Sequence, residues 1–203
     1  YVARNILSSM LTLMAPKTFP TDSKECILGI VGVIMESCLK DVGSMYGEVI
    51  SALLNIIKGN DIAYLKFPAL CTLSKVIIAS GAKYLDTFMD IAKALSKLTN
   101  DKNIDVRIQI SLIYYELVKF GSGSNSNASM LTNDYLTTFA ARGLEDESGV
   151  VQTTYCKSVG MLWHIRMHTY NQQQDELKLA YTRGDKSGNS DANTSTNKRT
   201  MFM

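Results

Sequence analysis

The sequence predicts an all-α fold built from repeated pairs of antiparallel helices, and three observations predict it. Apolar residues recur at three- and four-residue spacing, in runs separated by short polar or Gly/Pro breaks. Nowhere does β-branched alternation persist without a better helical reading, and no Asn-Gly or Asp-Gly turn joins two apolar runs. A short motif, a polar turn residue followed by an apolar-polar pair, returns at a period in the low forties.

Val2 to Met14 makes the first helix, closed by a segment whose Pro16 and Pro20 prevent continuation. The second opens at Thr21, where Asp22 and Glu25 have capping-box spacing, and runs to about Lys40 before Gly43. Ser44 starts a third that reaches Lys58 and stops at Gly59-Asn60. A fourth covers Asp61 to about Ser80, with a kink expected near Leu65 because Pro68 removes a backbone hydrogen bond and pushes on the preceding turn. The fifth, about Lys83 to Leu98, carries the cleanest stripe: Leu85, Phe88, Met89, Ala92, Leu95 and Leu98. In the sixth, Val106, Ile110, Ile113 and Leu117 share a face, and the Ser/Asn-rich tract Gly121 to Ser129 that follows reads as a flexible surface loop. A seventh helix lies at about Asn133 to Arg142, and an eighth runs from about Gly149 through Trp163 and beyond. Residues 184–203 have nothing to bury and read as a disordered linker or tail.

The recurring motif gives these helices an order. Val106-Arg107 aligns with Leu65-Lys66 upstream and with Val151-Gln152 downstream, and Asn60, Asp101 and Asp146 stand at the same distance before each pair. Two helices per unit at this period are the signature of a HEAT/armadillo-type α-solenoid. About four antiparallel pairs result, at 2–40, 44–80, 83–120 and 133–170, in a segment spanning 1–183. An acidic turn residue accepts hydrogen bonds from amides at the start of the second helix, and an Arg one turn later reaches the acid of the adjacent unit. Asp101, Val106, Arg107, Asp146, Val151 and Gln152 are thus expected to form a structural ladder, with Asp146/Gln152 and Asn60/Lys66 as weaker copies.

Composition narrows the function classes. With 203 residues, 46% hydrophobic and 20% charged, the chain has an ordinary soluble globular composition. Its net charge of +2 arises from 21 basic and 19 acidic residues that are well mixed, so no electrostatic footprint of nucleic acid or membrane is visible. Cys26, Cys38, Cys71 and Cys156 lie far apart in apolar patterns and read as buried thiols of a reducing compartment. The longest apolar run, Cys26 to Met35, is too short to cross a bilayer. The chain starts in helical periodicity and reads as a piece of a longer protein. His164 and His168 share a helical face but lack the Glu of a metalloprotease motif and a third ligand, so no metal is expected. Gly29 and Gly32 have neither the preceding strand nor the Lys-Ser/Thr of a phosphate loop and are assigned to close helix approach. Tyr114 and Tyr115 are expected to divide between core and rim. No nucleophile-base pair stands out, so neither catalytic residues nor a cofactor are expected; the sequons at Asn127 and Asn193 matter only in a secreted protein.

Three stretches carry a more particular resemblance. Lys24 to Gly59, with its small-residue helix, Gly-containing turn and amphipathic helix, resembles the start of the HEAT-repeat-containing protein 5 family, the large clathrin-adaptor accessory scaffolds. Leu98 to Phe120 resembles the family's next Asp-x-x-x-x-Val-Arg helix, and Ala140 to Trp163 its following repeat. Gln152 departs from the expected Arg, and Gly121 to Ser129 looks like an insertion. The resemblance implies an N-terminal fragment, of fungal character by its Asn-rich loops, of a long cytoplasmic scaffold. That scaffold would bind the adaptor protein complex 1 of the trans-Golgi network and endosomes, assisted by small disordered co-factors. The alternative is a HEAT module of a nucleic-acid-associated complex or a nuclear transport receptor, which needs Lys66, Lys75, Lys83, Arg107, Lys119 and Lys157 gathered free of acids.

Overall fold

The structure is a computed structural model that describes the backbone of residues 2–14, 19–59, 63–81, 87–121 and 134–188, without the side chains of 21, 121, 134–137, 169 and 182–188. Among the described residues every regular element is helical. The chain divides into two compact units, 1–162 and 163–203, the division falling within the last helix.

In the first unit, α1 (Val2–Met14) is followed by α2 (Thr21–Ser37), the short α3 (Leu39–Val42), a 3-10 turn at Gly43–Met45 and α4 (Tyr46–Lys58). Pro20, extended at φ −56° and ψ 139°, delivers the chain into α2, and Asp22 already lies inside the first turn. No side chain caps this end, so the capping box expected of Asp22 and Glu25 is not formed; Asp22 instead places its charge near the helix N-terminus. Gly59 ends α4, its amide donating to the carbonyls of Asn55 and Ile56.

A 3-10 turn at Ala63–Leu65 leads into α5 (Lys66–Ser80). Pro68 therefore sits in the first turn of α5, where amides have no intrahelical acceptor to lose. The irregularity expected near Leu65 is a change of helix type at a helix start, not a bend within a helix. Gly81 closes α5 at φ +55°, a left-handed conformation that glycine adopts without a Cβ penalty.

Then come α6 (Phe88–Ser96), α7 (Ile104–Gly121), α8 (Asp134–Leu144) and α9 (Gly149–Gly188). The expected stripe is split in α6: Phe88, Ala92 and Leu95 are buried with Ile91 and Ala94, while Met89 and Leu98 are half-buried and Leu85 lies outside the described residues. In α7, Val106, Ile110, Ile113 and Leu117 are all buried. The loop predicted at 121–129 lies outside the described residues beyond Gly121, which ends α7. Helix α9 continues past Gly184 to Gly188, where the sequence reads as tail, because Asp185 and Lys186 are polar without being helix breakers; 189–203 lie outside the described residues.

Packing follows an alternating order. Helix α5 contacts α2, α4 and α7, while α4 also contacts α1 and α6, so α2, α5 and α7 form one row and α1, α4 and α6 a second. The stretch Ala63–Ser80 is long and apolar enough by length and composition to cross a membrane, which the sequence reading granted to no segment. Its central place accounts for that composition: Leu65, Ala69, Leu70, Leu73, Val76 and Ile77 are all fully buried. Thr72 donates its hydroxyl hydrogen bond within reach of two carbonyls, Leu28 of α2 and Pro68 of its own helix, each at 3.0 Å. Gly32 stands opposite, with Lys75 and Thr72 3.2 and 3.7 Å from where a Cβ would be, so it serves the close approach expected of it. Gly29 has nothing within 4 Å and does not.

Candidate functional site

Among the described residues, the turns before α7 and α9 hold a dense polar network. Asp101 folds its turn by accepting from the amide of Asn103 at 2.9 Å, and Asn103 accepts from the amide of Asp105 at 2.9 Å. Asn103 is thus the cap of α7, with Asp101 one step removed. At the next turn Asp146 accepts from the amide of Ser148 at 2.8 Å. Val106 and Val151, one turn into their helices, are buried and anchor each start in the core.

Arg107 spans both turns. Its Nε and a terminal nitrogen donate to the two carboxylate oxygens of Asp146 at 2.8 and 3.3 Å, and its other terminal nitrogen donates to the carbonyl of Asp101 at 2.8 Å. All three nitrogens are engaged, a two-toothed grip that lysine lacks. The hydrogen bond to Asp146 raises the Arg107 pKa most; burial opposes it, and the charges of Asp146, Glu147 and Asp101 add to it. One unit earlier, Lys66 lies 3.8 Å from a carboxylate oxygen of Asp101, while Asn60 lies outside the described residues. Gln152 reaches back from α9 to the carbonyl of Asp146 at 2.7 Å. Lys66, Asp101, Arg107, Asp146 and Gln152 therefore join three successive turns.

These turns line an open cleft of about 880 Å³, with Lys102, Arg142, Glu145 and Glu147 at its walls. Arg107 and Asp146 are spent on each other, with side chains only 15% and 6% exposed, and so structure the cleft without facing it as free charges. In the core of the same helices, the buried rings of Tyr114, Phe139 and Tyr155 meet at centroid distances of 4.9, 5.4 and 5.9 Å and bind α7, α8 and α9 together. Burial pushes the phenols of Tyr114 and Tyr155 well above the ordinary tyrosine value. Gly143 lies flat on the Tyr155 ring, leaving no room for a Cβ. Sequence reasoning missed Gly143, whose role depends on a neighbour from another helix, and Asn103, whose Asn-Ile-Asp context is itself a cap signal. Tyr114 is buried and Tyr115 half-buried, the division expected between core and rim.

A second feature is apolar. The row of α2, α5 and α7 exposes Ile30 and Val33, then Phe67 and Ile78, then Leu112. Cys26 and Cys156 are exposed, and Cys38 and Cys71 half-buried, all as free thiols. The expectation of four buried cysteines is therefore corrected: helical periodicity placed them near apolar residues but on the outward edge of each stripe. His164 and His168 are both exposed, and among the described residues no three His, Cys, Asp or Glu converge as a metal site. No protein-family model, no curated protein and no solved structure matches the chain.

Proposed function

We propose that the first unit is a HEAT/armadillo-type α-solenoid segment and that it works as a non-enzymatic protein-interaction scaffold. The observation that carries this reading is the repeated forward link between turns, Lys66 to Asp101 and Arg107 to Asp146, each joining one helix pair to the next. Such nearest-neighbour joints suit an array whose stability is a sum over stacked units. The two-row packing and the outward apolar residues of α2, α5 and α7 support a surface on which partner segments lie.

The resemblance to the HEAT-repeat-containing protein 5 family directs the proposal to a partner. The segment would belong to a cytoplasmic scaffold that serves clathrin adaptor complex 1 on trans-Golgi network and endosomal membranes, together with small disordered co-factors. The nucleic-acid or nuclear-transport alternative is weakened by side-chain pairing. Lys66, Arg107 and Lys119 each carry an acidic neighbour, and Lys83 lies outside the described residues.

Affinity capture of the intact protein and of a form lacking residues 1–203, followed by mass spectrometry, tests this. Adaptor subunits in the first capture support the family reading, and their loss in the second assigns the contact to this segment. Nuclear or nucleic-acid-associated partners without adaptor subunits would overturn it.

A further inference from the structure

The second unit poses a separate question, because its helix presents a long apolar seam to solvent. Trp163, Met167, Tyr170, Leu177 and Tyr181 are 67%, 43%, 56%, 53% and 78% exposed. With Gln174 they alternate at spacings of four and three along α9. At 100° per residue these six positions fall within a sector of about 80° and run about 27 Å along the axis. A four-three alternation is the spacing two helices satisfy together when they supercoil.

We propose that this seam is a self-association surface, on which two copies of the chain pair through residues 163–181 as a two-stranded coiled coil. The available area fits that occupant. Three aromatic side chains more than half exposed, with a Met and a Leu, offer on the order of 600 Å² per chain and about 1,200 Å² for a pair, the lower bound of a specific interface. The polar member fits as well. Gln174 stands mid-seam and is half-buried by its neighbours, the place where one amide lowers affinity and fixes register. The opposite side of the helix is polar around Gln174, with Gln172, Asp175 and Glu176 exposed; the exposed Leu179 interrupts it as a single apolar position, without the four-three continuation of the seam.

Sedimentation equilibrium of the 203-residue chain tests the pairing. The expected result is a reversible dimer with a dissociation constant of roughly micromolar order. Tyr170→Lys with Leu177→Lys weakens it at least ~100-fold while far-UV circular dichroism stays unchanged, since both residues are exposed and lysine is a good helix former. Gln174→Leu tightens it about tenfold, and Gln172→Glu on the opposite side leaves it unaltered. A monomer up to about 100 µM, or a dimer that withstands the two lysines, overturns the proposal.

Discussion

Arg107 and Asp146 can be dissected by three substitutions, because Asp146 has two duties: it holds the guanidinium and it closes its own turn on the Ser148 amide. Asp146→Asn keeps an oxygen for the turn and loses the charge; Asp146→Ala loses both. We expect about 1–2 kcal/mol for the first and about 1 kcal/mol more for the second, read from urea unfolding midpoints. Arg107→Met leaves a carboxylate of 6% exposure without its cation and costs about 2–4 kcal/mol. Loss of Lys66 should cost under about 1 kcal/mol, because its contact with Asp101 is long and single. Alkali reads the buried phenols. Burial raises Tyr46 from 10.0 to about 12, with a small opposing contribution from the nearby Ser80 hydroxyl, which lies outside hydrogen-bond geometry; Tyr114 and Tyr155 rise further. The folded state keeps these protons where the unfolded chain releases them. Stability is then unaffected below the unfolded value of 10.0 and falls as pH climbs from there through about 12. Ultraviolet titration of the native protein should show these three phenols ionising only as the helical signal is lost.

At the scale of the element, the helices were legible because their apolar spacing is local, and their ends were legible only where a single residue dictates the backbone. Pro20, at the entry to α2, did so. Asp22 and Glu25 did not, since the capping spacing is necessary for a capping box but the entry direction of the chain decides which residue is last outside the helix. Asp101 and Arg107 were readable for the same local reason, as turn and first-turn residues. Gly143 was not, because its constraint comes from Tyr155 on another helix. Gly143→Ala should therefore destabilise by about 1–3 kcal/mol, and Tyr155→Leu, which removes the ring edge, should reduce that penalty in a double-mutant cycle. Pro68→Ala should change stability by less than about 0.5 kcal/mol, since the first turn of α5 needs neither the missing amide nor the ring.

At the scale of the molecule, thiol accessibility tells outward helix faces from packed ones. Cys26 and Cys156 should react with a thiol reagent in the native state well before Cys71, which is half-buried and whose thiol is pushed up by burial against a smaller lowering by Lys75. Equal rates for all three would mean that Cys71 on α5 is as open to solvent as Cys26 and Cys156. Which side of each helix faces out could not be told from the sequence for these cysteines, since a helix between two neighbours has apolar positions on most of its circumference. The joints between turns carry a direction as well. In each, the cation belongs to the earlier helix and the acid to a later turn, Lys66 before Asp101 and Arg107 before Asp146. On the ribosome, Lys66 and Arg107 therefore emerge before the acids that answer them, and each of these two positive charges waits in water until the later turn has been made.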